Sequence, residues 1–451
     1  MSYKVPPVHV RLEAGQSLQP LPPKLSKLVV RIGAALIPLY LRFLGRVRGI
    51  RVEHEERLVS AWQRMRQGKS RLVIAYRHPT DSDPFVVHYV LSTYLRHAFR
   101  RAGISGGAPF HVHHIYDRGV PLWFGPVAQW VLPRAGAVAV HRSRMDKSTA
   151  NVIRAYAESS PYPLAVAPEG AVTYHTAFCP VLEDGVLQFA HWASANGAAA
   201  EILPLHIEYR HKPKKRARAL RRLITETEAL AGITGDRFAS EVTRLSRLQR
   251  AVLDAAELLY PPDSPHDGED PEDGRSEPAR AIAIALRAVA AGEKALGLPG
   301  DGDTHARRYR LEQAIWDRLF LPAVSSRKAL KRMSPLRRAV ANRSAAEASL
   351  LLSHVQVNDV LSCARFDLLE EGADEETLLE VALNLFDLAQ RLPGGTIAGR
   401  PIPAPRKAVI RVGNPIRIDG TKKWGTAARQ ATRESLFRAF ASLRHRENEE
   451  C

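Results

Sequence analysis

The residues best suited to chemistry are His78 and Asp83, separated by four residues in Tyr76-Arg77-His78-Pro79-Thr80-Asp81-Ser82-Asp83-Pro84-Phe85. An imidazole held by a carboxylate through one ring nitrogen presents the other as a base, and a base is what a hydroxyl needs to become a nucleophile. The same spacing also fits a plain loop histidine followed by a helix cap. The flanking residues say which elements carry the pair. Arg71 to Tyr76 (RLVIAY) is a short apolar run that predicts a buried strand, and Phe85 to Leu95 has apolar residues at helical spacing. Asp83-Pro84 suits the cap and first position of that helix, so His78 is expected on a strand-to-helix turn with Asp83 able to fold back toward it.

Three later stretches have a related character. Gly136 to Arg142 (GAVAVHR) predicts a strand delivering Arg142, a guanidinium placed to grip phosphate. Leu164 to Gly170 (LAVAPEG) predicts a strand ending in a Pro-Glu-Gly turn, whose glycine lets backbone approach a ligand closely. Glu201 to Tyr209 (EILPLHIEY) predicts a strand interrupted by Pro204. Each alone has a plain structural reading: a solvated arginine, an ordinary turn, an edge strand. Pro109 to Tyr116 also reads as a strand and carries His111, His113 and His114. There His111 and His113 share a face while His114 points away, and no acid or cysteine completes a ligand set, so no metal is expected.

In this order the four stretches resemble the glycerolipid acyltransferases, the lysophosphatidate (1-acylglycerol-3-phosphate) acyltransferase family. The resemblance covers about residues 50 to 210. It implies transfer of a fatty acyl group from a thioester to a lysophospholipid hydroxyl, with 1-acylglycerol-3-phosphate as the expected acceptor. It also implies His78 as general base, Asp83 orienting it, and Arg142, Glu169 and Gly170 at the substrate. Acyl-CoA or an acyl carrier protein would be co-substrate, with no further cofactor. Two positions depart from the family pattern. Arg77 stands where asparagine is usual before the histidine. Ala171-Val172-Thr173 follows the glycine, so a phosphate-gripping arginine expected there is missing; Arg142, Arg144 or Lys147 remain to compensate. Another lysolipid or an amino-acid lipid stays open as acceptor.

The whole chain has 451 residues and a formal charge of +18, which favours an anionic partner. Nucleic acid is not the expected one, because basic and aromatic residues are not interleaved. A basic nucleic-acid binder would leave the ordered blocks unexplained, and an idle membrane scaffold would leave His78 and Asp83 unexplained. Three scattered cysteines suit a reduced compartment. Leu25 to Leu44 is apolar except for Lys27, Arg31 and Arg42, the composition of a helix lying in a membrane interface. Peripheral or monotopic attachment to a cytoplasmic membrane face is therefore expected.

The expected fold is α/β: a central mixed sheet flanked by helices, with the interfacial helix in residues 1–49 and the first part of the acyltransferase domain in 50–212. Residues 213–405 read as a large helical insertion or lobe, with a flexible linker at 261–278. Lys407 to Asp419 resembles the family's Gly-x-Pro-Ile strand, so 406–451 is expected to supply a returning strand and a closing helix.

Overall fold

The computed structural model describes residues 11–18, 21–104, 110–141, 146–176, 182–236, 238–262, 276–421 and 424–444. Two compact units emerge. One comprises Pro20–His211 with Pro405–Cys451, the other Met1–Gln19 with Lys212–Ala404.

The first unit is built on an eight-stranded sheet: β1 Val47–Glu53, β2 Arg71–Tyr76, β3 His113–Asp117, β4 Val138–Val140, β5 Leu164–Val166, β6 Ala199–His211, β7 Arg406–Val412 and β8 Ile416–Asp419. The spatial order is β1-β7-β6-β2-β5-β3-β4, and β8 also pairs with β6. Pairing from β6 through β2, β5 and β3 to β4 is parallel, while β7 and β8 run antiparallel to β6. The sheet is therefore mixed.

Both faces of β2 are covered, which is why its sequence is continuously apolar rather than alternating. Leu72, Ile74 and Tyr76 face a core with Trp62, Val86, Leu91 and Ile410, whereas Val73 and Ala75 face another with Ile153, Phe189, Leu436 and Phe440. Pro204 is accommodated inside β6 by a break in its neighbour. On that side β7 gives way to β8 at Gly413-Asn414-Pro415, and the Gly413 amide donates to the Pro204 carbonyl at 2.9 Å. A proline amide, which has no hydrogen to offer, thus faces a gap in the ladder.

Some boundaries differ from the sequence expectation. The helix after β2 starts at Asp83 and runs through one π-helical turn (Val90–Tyr94) to Arg101. Asp117 to Pro126 reads as a loop, yet a helix spans Val120–Arg134; its kink falls at Gly125, where φ is 76°. Of the expected Pro109–Tyr116 strand, His113 to Tyr116 is in the sheet, in a strand that runs on to Asp117, and Pro109 lies outside the described residues.

The second unit is helical, with Pro213–Ala231, Glu241–Leu259, Glu277–Leu296, Thr304–Leu319, Arg327–Lys331, Pro335–Leu361 and Glu375–Arg391, plus a short parallel pair of Gly15–Gln16 with Phe320–Leu321. Its buried arginines face acids: Arg308 meets Asp359 and Glu312, and Arg391 meets Asp387. Residues 263–275, most of the expected linker, lie outside the described residues.

Candidate active site

The loop after β2 brings the histidine and the aspartate together. His78 Nδ1 lies 3.1 Å from Asp83 Oδ2, with the Asp83 side chain fully buried and that of His78 16% exposed. The expected helix cap is not what Asp83 does. Ser82 occupies the cap position, and the Asp83 carboxylate turns back into the loop, accepting the Thr80 amide at 2.6 Å. It also accepts the Tyr209 hydroxyl from β6. His78 Nε2 has no hydrogen-bond partner among the described residues. A buried carboxylate on Nδ1 and an unoccupied Nε2 is the arrangement of a general base.

A second carboxylate holds the loop from behind. Glu169 is buried; its Oε1 receives Arg77 Nε and its Oε2 receives the His78 amide at 2.7 Å. Burial pushes this carboxyl above its ordinary value, against the pull of the Arg77 guanidinium and the His78 amide. Arg77 also reaches the carbonyls of His175 and Thr176 at 3.4 Å, and its amide continues the ladder to Leu205. The Thr173 amide closes the connection by donating to the His78 carbonyl at 2.9 Å. Glu169 is expected at the substrate; here its two carboxylate oxygens are taken by Arg77 and the His78 amide. Arg77, at the position before the histidine, is the partner that fills Glu169.

Gly170 has φ of 69°, a left-handed turn that favours glycine. Its amide donates to Ala167 at 3.2 Å, so it closes the turn rather than facing a ligand. In the same turn the amides of Ala171 and Val172 have no partner among the described residues. Arg142 and Arg144 lie outside the described residues. Lys147 opens the helix Lys147–Ser159, which Asp146 caps.

Sequence reasoning missed Tyr209 and Arg406. The Arg406 guanidinium sits 3.9 Å over the Tyr209 ring and donates to Ser82 Oγ at 3.0 Å. Nothing in the spacing of these residues marks them, because they meet the loop only through the sheet.

Among the described residues no three His, Cys, Asp or Glu side chains are grouped so as to hold a metal ion. The three histidines near β3 belong to a buried aromatic cluster. His114 stacks on His88 and His113 on Tyr156, with centroids 5.5 and 3.9 Å apart. Burial lowers His88 to about 3 and His111 and His113 to about 4. Each is neutral in the fold and takes up a proton on unfolding below about 6.5. Their contribution to stability is complete above that pH and is lost as pH falls toward 4. Urea midpoints are thus expected to drop between about pH 6.5 and pH 4.5, and His88→Leu should flatten the slope. A midpoint that stays level over this range would refute the assignment.

Compared with protein-family models and with curated proteins, the chain matches none, so the reading of this site rests on its own geometry and on the resemblance of its motifs.

Proposed function

We propose that the protein transfers a fatty acyl group from a thioester to a lysophospholipid hydroxyl, with 1-acylglycerol-3-phosphate as acceptor and acyl-CoA or acyl carrier protein as donor. The observation that carries this reading is the His78–Asp83 contact on the strand-to-helix loop, with Nε2 left unoccupied. The acceptor hydroxyl gives its proton to Nε2 as its oxygen attacks the thioester carbonyl. The C–O bond forms, the C–S bond breaks, and the imidazolium returns the proton to the departing thiolate. Asp83 stays a carboxylate throughout and stabilises the imidazolium. No enzyme nucleophile is needed. The amides of Ala171 and Val172 are the turn's donors left to meet the carbonyl oxygen as it becomes negative. The decisive experiment is a screen of lysolipid acceptors against acyl-CoA and acyl carrier protein donors with purified protein. Absence of acyl transfer to every acceptor with both donors would sink the proposal.

A lipid acceptor also requires a surface where lipid is met. The helix Lys27–Phe43 exposes Leu28, Ile32, Leu36, Leu39 and Phe43, spaced three or four residues apart on one face. Val127 and Trp130 of Val120–Arg134 are also exposed. The two segments are joined where the Lys24 and Ser26 amides donate to the Pro133 and Arg134 carbonyls. On its other side the helix packs Tyr40 on Phe85, two residues beyond Asp83, with ring centroids 4.3 Å apart. No described helix is long and apolar enough to cross a membrane. An amphipathic helix with exposed Lys27, Arg31 and Arg42 suits an anionic interface instead. Exchanging Leu28 and Ile32 for glutamate is expected to weaken sedimentation with anionic vesicles while leaving the melting temperature unchanged, since both side chains are exposed. Wild-type binding should also decline as salt shortens the screening length below about 8 Å. Equal partitioning of variant and wild type would exclude this helix as the docking surface.

A further inference from the structure

We propose that Tyr209 and Arg406 are positioning residues that fix Asp83 from behind, an inference that rests on the His78 mechanism above. The two oxygens of Asp83 are divided between two tasks. Oδ2 meets His78 Nδ1 at 3.1 Å and the Thr80 amide at 2.6 Å. Oδ1 takes the Tyr209 hydroxyl and, at 3.3 Å, Thr80 Oγ1. A carboxylate has about four acceptor directions, and these four partners fill them. Tyr209 is the donor among them that comes from outside the loop. Burial, then the charge of Asp83, pushes its hydroxyl well above the ordinary phenol range, so it keeps its proton and donates.

Arg406 is the less expected member. It is 8% exposed, and its buried Nε has no partner. Other buried arginines of this unit face carboxylates directly: Arg77 meets Glu169, and Arg411 meets Glu53 and Glu208. Arg406 has no carboxylate within ion-pair distance among the described residues. Its Nη2 instead reaches Ser82 and Thr80 at 3.0 and 3.5 Å, and its guanidinium lies over the Tyr209 ring. Burying a cation without a counterion is unfavourable unless nearby charge compensates. Asp83, one hydroxyl away through either Tyr209 or Thr80, is the anion it serves. A cation over the ring also makes the phenol a stronger donor. The order Arg406, Tyr209, Asp83, His78 therefore runs from a fixed charge to the base and holds the imidazole with Nε2 outward.

The test uses the full-length protein labelled with 15N-histidine. Its first readout is the Nδ1–H proton resonance of His78, which reports the bond to Asp83 and needs no substrate. Tyr209→Phe keeps the ring under Arg406 and removes only the hydroxyl. It is expected to move that resonance and to lower kcat by about tenfold to a hundredfold with KM unchanged, the worth of one hydrogen bond to an ionised group. Arg406→Lys should retain more activity than Arg406→Gln. If Arg406→Gln does not fold, Tyr209→Phe, nearly isosteric, still decides. An unmoved resonance with unchanged kcat in Tyr209→Phe overturns the proposal. So does an Arg406 variant that raises KM for the lysolipid at constant kcat, which would make Arg406 an acceptor contact. A shifted resonance in a protein that transfers no acyl group would uphold the positioning role and reject the acyltransferase reading.

Discussion

Purified His78→Ala is expected to fold normally and to lose acyl transfer by on the order of a hundredfold or more. The side chain is mostly buried and lies edge-on to the Tyr76 ring, so its removal leaves a small void and lowers stability modestly without unfolding the sheet. What disappears is the acceptor for the hydroxyl proton, and no neighbour replaces it. His114 cannot take over, because burial pushes it well below the usual histidine range and it faces the cluster around His88. Circular dichroism should match wild type, with at most a modest drop in melting temperature, while turnover vanishes. Near-normal turnover in a folded His78→Ala protein would remove the proposed mechanism.

The second large effect concerns folding rather than chemistry. Glu169→Ala strands the Arg77 guanidinium, whose side chain is fully buried, and leaves the His78 amide without its acceptor. Breaking a buried pair by removing one partner costs about 3–5 kcal/mol, a large fraction of a domain's stability. Replacing both together, Arg77→Met with Glu169→Leu, removes the stranded charge and should recover much of that loss. The single variant is therefore expected to be far less stable in urea than the double one. Activity should not return with stability, since the loop then lacks the carboxylate that fixes the His78 backbone. A double variant as active as wild type would show that Glu169 matters only for folding.

The strand-to-helix loop was legible because its parts are local: an apolar run, two short side chains at a fixed spacing, and a proline after the second. Glu169 was visible as part of a turn, but not its partner, since Arg77 finds it across 92 residues of sequence. Tyr209 looked like one more apolar strand residue, and Arg406 like one more cation in a chain with 65 of them. Long-range partners of this kind depend on strand order, which periodicity does not encode. The α/β class was readable from the strand-like and helical stretches, and the expected mixed sheet is the one observed. The helix Pro335–Leu361 was not anticipated, because its apolar residues do not keep to one stripe. Asp83 illustrates a different limit: a helix cap and a carboxylate that holds a histidine use the same residue type at the same place, and only the direction of the carboxylate separates them.

The split of the sheet has a consequence for how the chain is made. β6 ends at His211, and the strands that cover its outer edge begin at Arg406, about 195 residues later. At roughly 5–20 residues per second, a ribosome takes about 10–40 s to cross that distance. During this interval β6, with buried Leu205, Ile207 and Tyr209, presents an unpaired edge, and β1 has no strand to pair with, since among the described residues its strand partner is β7. Open edges of that kind recruit other chains. The nascent protein is therefore most vulnerable to aggregation while its helical half is being synthesised, and a holdase bound to the 199–211 segment would protect it then.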